Sequence, residues 1–214
     1  MAGRAMNEIA PAPALAPAHL IRNALAALLV ATFPTACSGP ATPARAPLEG
    51  ARIGGPFTLT NQDGRQVGDR DFAGKYRIVY FGYTFCPDVC PVDARNIGAG
   101  LAALDESDPA IAAKIVPIFI SVDPARDTPA VLKSFVANFH PRMVGLTGSA
   151  DAIAAVAKEY AVYYKQGEVS PGGGYMVDHS RVSYLMDPQG KPIALLPQDQ
   201  SPQAVAAEIK RWVK

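Results

Sequence analysis

Residues 76–91 read YRIVYFGYTFCPDVCP. Tyr76 to Phe81 is a largely apolar run of the kind that forms a buried strand. Pro91 suits the first position of a helix, where no amide donor is needed. The segment between them is therefore a strand-to-helix turn, and it carries Cys86 and Cys90. Unpaired amides at a helix start favour negative charge, so this turn is expected to stabilise a thiolate over a thiol. Two soft sulfurs side by side can hold a metal ion or close a disulfide. A bridge this local closes a very short loop and adds little stability, which argues against a purely structural disulfide. The gap of three residues also departs from the Cys-x-x-Cys spacing of common redox motifs.

Outward from this turn, the pattern alternates. Pro91 to Leu104 reads as a helix with Ile97, Leu101 and Leu104 at core spacing. Ile115 to Val122 (IVPIFISV) is a second buried strand, in which Pro117 demands a local irregularity. In the following DPARDTP, Asp127 or Thr128 can cap a helix that has Pro129 at its first position and Val131, Leu132, Phe135 and Phe139 as its apolar stripe. His140–Pro141 ends it. Met143 to Leu146 is a short strand, and Ser149 or Asp151 opens a helix through Tyr160. Ala161 to Tyr164 is extended, and Lys165 to Gly174 is a polar, Gly-rich excursion. Ser183 to Met186 and Pro192 to Leu196 flank DPQGK as a hairpin, and Ser201–Pro202 starts a last helix through Val213. Upstream, Phe57 to Thr60 and Gln66–Val67 are strands joined by the turn NQDG, and Asp69 to Gly74 is a loop or short helix. This order predicts an α/β fold with a central mixed sheet flanked by helices.

The chain has 214 residues, which suits one domain with an export segment and a tether. Arg22 precedes an apolar segment, Ala24 to Phe33, interrupted only by Thr32. That is short for a bilayer span and suits a signal-peptide core. Thr35, Ala36 and then Cys37 resemble the end of a bacterial lipoprotein signal, in which the cysteine becomes the lipidated first residue. Pro34 stands where such signals usually place an aliphatic residue. Cleavage near Ala36 as an ordinary secretory signal, or an uncleaved anchor, are the rival readings. Residues 1–37 are thus expected to be an export signal, and residues 53–214 the domain. Residues 38–52 hold Pro40, Pro43 and Pro47 among small and charged side chains. They are expected to form a disordered tether reaching roughly 45 Å if extended. Beyond the export signal, acidic and basic residues balance and no basic run stands out, which excludes nucleic acid as a partner on charge grounds.

The chain has three histidines. His19 lies in the export segment. His140 sits beside Pro141 at a helix end and is expected to be structural or solvent-facing. His179 follows a Gly-rich loop and precedes a buried hairpin, a setting where rigid scaffolds place site residues. With Cys86 and Cys90 it completes a set of two sulfurs and one nitrogen. Such a set suits copper, and zinc less well without a fourth ligand.

Three marks together resemble the Sco (SenC, PrrC-like) proteins: YFGYTFCPDVCP at 80–91, SVDPARDTP at 121–129, and VDHS followed by YLMDPQG at 177–190. The resemblance runs from Phe57 to Val213. It implies a thioredoxin-like fold and copper held by Cys86, Cys90 and His179. It also implies a role in assembling the binuclear copper centre of cytochrome c oxidase. The implied partner is the oxidase's copper-bearing subunit or another copper protein, met on the periplasmic side of a bacterial cell envelope. A membrane tether is usual in the family, and here the lipoprotein-like Cys37 replaces the longer membrane helix of many members.

Two roles are compatible with this set. One is a copper metallochaperone. The other is a thiol-disulfide reductase of the acceptor's cysteines, in which Cys86 and Cys90 form a disulfide when oxidised. A peroxidase reading rests on Thr84 shortly before Cys86, and leaves His179 and the second cysteine unexplained. Asp178 can accept the other imidazole hydrogen of His179 or cap its turn. Asp123 can approach the site, although a cap or an ion pair with Arg126 is favoured for an Asp-Pro turn. Asp88 is expected to face solvent. Met176 is a candidate soft ligand, with packing as the favoured reading.

Overall fold

The computed structural model describes residues 45–214. The export segment, Cys37 and the start of the tether lie outside the described residues. In chain order the elements are β1 (Thr58–Asn61), β2 (Gln66–Gly68), a 3-10 turn (Asp69–Phe72), β3 (Tyr76–Gly82), α1 (Val89–Ser107), α2 (Pro109–Ala112), β4 (Ile115–Ser121), α3 (Pro129–Val136), β5 (Val144–Thr147), α4 (Ala150–Glu159), β6 (Tyr164–Gln166), β7 (Val177–His179), β8 (Ser183–Met186), β9 (Pro192–Leu195) and α5 (Pro202–Trp212).

Seven strands form one mixed sheet in the order β2-β1-β5-β4-β3-β8-β9. The β3, β4 and β5 strands run parallel, and the remaining neighbours are antiparallel. The centre of the sheet is β3 and β4, whose Ile78 to Phe81 and Ile118 to Ile120 are buried as near-continuous apolar runs. Buried parallel strands read this way because both faces are covered. Pro117 causes no irregularity, contrary to the sequence expectation. The β3–β4 register runs unshifted from Tyr76↔Ile115 to Gly82↔Ser121. On the other side β5 pairs only from Ile118 onward, so β4 is an open edge at Pro117, where a missing donor is tolerated.

Helix starts follow the sequence signals with two exceptions. Thr128, Ser149 and Ser201 each accept an amide hydrogen from three residues on and cap α3, α4 and α5. The first exception is α1, which begins at Val89. Cys90 is thus inside its first turn, and Pro91 is third rather than first. The second is Asp127, which caps nothing and is turned inward instead. Ala161, expected to be extended, has φ of 51° and takes the left-handed position that closes α4. The polar excursion begins within a strand: Lys165 and Gln166 belong to β6, which pairs with β7 as a separate two-stranded ribbon. Two glycines let α1 sit close to its neighbours. A Cβ on Gly98 would collide with the Phe139 carbonyl, and one on Gly100 would meet the Pro202 carbonyl at 2.8 Å.

The described end of the tether is docked rather than free. Leu48 and Ile53 pack on the core, and the Leu48 amide donates to the Ile193 carbonyl at 2.9 Å.

Candidate metal centre

The turn after β3 is pinned from below by Asp127. This carboxylate is fully buried and accepts the Thr84 amide at 3.0 Å, the Thr84 hydroxyl and the Ser121 hydroxyl. Burial raises its pKa, and the three donors oppose the rise. Thr84 is therefore engaged by Asp127 rather than by a cysteine, which removes the feature behind the peroxidase reading.

Cys90 is fully buried and Cys86 is 8% exposed; both thiols are free. The Cys90 amide points at the Cys86 sulfur, 3.5 Å away, so one orphan donor of the helix start faces a sulfur as the sequence suggests. The expected thiolate is not favoured at Cys90, however. Burial pushes its thiol well above the ordinary range, the neighbouring Cys86 adds to the rise, and hydrogen bonds from Tyr83 and Tyr80 oppose it.

His179 reaches the pair from the ribbon. Its Nε2 lies 3.2 Å from the Cys90 sulfur, and its Nδ1 lies 3.1 Å from the Ser180 carbonyl. A carbonyl only accepts, so Nδ1 carries the hydrogen and Nε2 turns its lone pair to the Cys90 thiol, which donates. Burial lowers the imidazole pKa, partly offset by the Ser180 bond and the Asp93 charge. The rings of Tyr80 and Tyr83 stand edge-on to it, with centroids 6.5 and 5.9 Å away.

Sequence reasoning missed the support behind these groups. Asp93, three residues after Cys90, is fully buried. It accepts Tyr80 Oη at 3.0 Å and both Nε and one terminal nitrogen of Arg181 at 2.8 and 2.7 Å. Arg181 lies two residues after His179, so this bidentate pair ties the histidine segment to the first turns of α1. The signal was present as an acid and a base at fixed short offsets from two candidate ligands.

The other candidates separate. Asp178 is exposed and stands opposite Lys165 on the ribbon; the nitrogen it was expected to bind is held by the Ser180 carbonyl. The cause is strand alternation, which sends Asp178 and His179 to opposite faces. Asp123 is buried in an ion pair with Arg126, as favoured, and also accepts the Tyr175 hydroxyl at 2.8 Å. Arg126 stacks on Tyr175 at 3.6 Å and over Phe85 at 4.8 Å, joining three loops beside the cysteines. Asp88 is exposed. Met176 is 51% exposed, so the packing reading fails for it. His140 is buried against Asp105 at 3.0 Å and is structural.

Among the described residues, no three Cys, His, Asp or Glu side chains already converge as a closed metal site. Cys90 and His179 are in contact, and the Cys86 sulfur, in the turn before α1, lies 3.5 Å from the Cys90 amide. Two ionisable sulfurs and a neutral imidazole nitrogen fit a soft, low-coordinate metal ion once the thiol protons leave. The same two thiols fit reversible disulfide formation.

The family model described as SCO1/SenC matches residues 45–214. Protein SenC of Rhodobacter capsulatus is 44% identical over 160 residues, which cover 74% of this chain and 70% of SenC. Mitochondrial protein SCO2 of Saccharomyces cerevisiae is 40% identical over 163 residues, 76% of this chain and 53% of that protein. The chain thus spans about half the length of the yeast relative. The structure of Bradyrhizobium japonicum ScoI with copper bound shares 42% identity at a TM-score of 0.68, covering 75% of this chain and 99% of that one. The mixed sheet and its helices are the thioredoxin-like α/β fold of these relatives. The family match takes in every described strand and helix, and the chain belongs to the SCO1/SenC family.

Proposed function

We propose that the protein is a copper metallochaperone that delivers copper to the binuclear centre of cytochrome c oxidase, with Cys86, Cys90 and His179 as its ligands. The observation that carries this reading is the 3.2 Å approach of His179 Nε2 to the Cys90 sulfur, with the Cys86 sulfur against the Cys90 amide. Three soft or borderline donors suit Cu(I), and a low coordination number leaves room for a partner's ligands to enter. Copper bound in the ScoI relative agrees with this chemistry. The acceptor is the oxidase's copper-bearing subunit or another copper protein. No helix among the described residues is long and apolar enough to cross a membrane. Attachment on the periplasmic side of a bacterial envelope would be through a lipid on Cys37, as the lipoprotein-like end at Thr35–Cys37 suggests, or through an N-terminal anchor.

A thiol-disulfide reductase is the second reading, favoured by two free, adjacent thiols. Cys86, the more exposed, would attack an acceptor disulfide and Cys90 would resolve the mixed disulfide. Two electrons pass to the acceptor, whose two sulfurs leave as thiols.

Anaerobic Cu(I) titration of the reduced chain, wild type and His179→Ala, separates these readings. The wild type should take up one copper ion per chain. The variant should keep its thiol-disulfide exchange, lose nitrogen coordination in X-ray absorption, and bind copper at least about tenfold more weakly. Unchanged affinity and unchanged nitrogen coordination would remove His179 from the site. No copper uptake, together with fast disulfide exchange, would leave the reductase.

A further inference from the structure

Met176 has a sulfur that neither packing nor the ligand set explains. Of the described methionines, Met143 and Met186 are buried, whereas Met176 is half exposed, three residues before His179. A thioether that contributes little to the core has no packing reason to stay near one place. Here it is placed. The Met176 carbonyl accepts the Gly167 amide at 2.8 Å, and the Tyr83 hydroxyl donates to the Met176 sulfur at 3.8 Å. The same hydroxyl accepts the Val177 amide at 3.3 Å, and the Tyr83 ring stands edge-on to His179 with centroids 5.9 Å apart. Met176 thus touches the tyrosine that stands against His179. Three sulfurs, those of Cys90, Cys86 and Met176, belong to residues that are 0%, 8% and 51% exposed. Met176 is thus the exposed member of the three and the two cysteines the buried ones.

We propose that Met176 is the outer ligand of the copper path, taking Cu(I) at the surface on entry and again on exit. The inference rests on the copper reading above. A thioether binds Cu(I) without first losing a proton, whereas the buried thiols must each release one. A neutral donor at the surface therefore offers a landing point that needs no deprotonation. Passage inward breaks one copper–thioether bond and forms one copper–thiolate bond to Cys86, whose proton goes to water. Copper stays Cu(I) throughout, so no redox partner is needed.

The test uses the full reduced chain under anaerobic conditions. Met176→Leu keeps the volume of the side chain and removes its sulfur. In this variant the titration should reach the same number of copper ions per chain. Transfer of copper to excess Cu(I)-specific chelator should slow by about tenfold, the size of one lost soft contact. A second measurement stops the ion at the outer position. In Cys90→Ser, labelled on methionine methyl carbons, Cu(I) should shift the Met176 resonance and leave those of Met143 and Met186 in place. A wild-type transfer rate in Met176→Leu, or a Met176 methyl that ignores copper in Cys90→Ser, overturns the proposal while the three-ligand site stands. Wild-type protein that retains no copper overturns both.

Discussion

His179 and Cys90 share one hydrogen bond, and the proton in it governs how the pair responds to pH. The imidazole is depressed below its ordinary 6.5 chiefly by burial. As pH falls below about 6.5, the unfolded chain gains this proton before the folded one does, so stability is lost until the folded value is passed. The Cys90 thiol is raised above its ordinary 9.0, again chiefly by burial. Above about pH 9 the unfolded chain releases this proton while the folded chain retains it, so stability falls on the alkaline side as well. Denaturant unfolding of the metal-free reduced protein should therefore show both limbs. His179→Gln should flatten the acid limb and Cys90→Ala the alkaline one. Limbs of unchanged slope in these variants would mean that neither group is desolvated as described.

Helix α1 and the His179 ribbon are joined at the level of elements by Arg181 and Asp93. Asp93 is fully buried, while the Arg181 side chain is 38% exposed. Arg181→Leu strands a buried carboxylate with only the Tyr80 hydroxyl for support. Breaking a fully buried pair costs about 3–5 kcal/mol; partial solvation of the guanidinium reduces this to roughly 2–3 kcal/mol. Asp93→Asn should cost less, because the arginine can turn to water and the amide oxygen still accepts. Chemical denaturation measures that order, and copper titration of Arg181→Leu reads its consequence at the site, where a loosened ribbon should weaken nitrogen coordination. If Asp93→Asn proves the more damaging change, the pair does not carry the load assigned to it.

Over the whole molecule, the domain begins earlier than the proline-rich composition suggests, since Leu48 and Ile53 pack on the core and Leu48 bonds to Ile193. A chain starting at residue 45 should match the stability of one that retains the tether. A chain starting at residue 53 should lose roughly 1–2 kcal/mol, the worth of one partly buried leucine and a backbone hydrogen bond. Equal thermal midpoints for the two truncations would show that residues 45–52 are only a tether. Helix α2 and the β6–β7 ribbon were not legible in the sequence, whereas the order of the seven main-sheet strands and of α1, α3, α4 and α5, the caps at Thr128, Ser149 and Ser201, the hairpin around DPQGK and the paired cysteines were. Each depends on neighbours within a few positions, where periodicity and capping chemistry act. The His179 contact with Cys90 spans 89 positions and the Arg181 pair with Asp93 spans 88. The tertiary structure made those contacts, because β8 lies beside β3 in the sheet and brings the segment before it over the start of α1. It also reversed the expected ionisation of Cys90. Helix starts favour a thiolate locally, but desolvation depends on everything packed around the sulfur, and no local pattern records that.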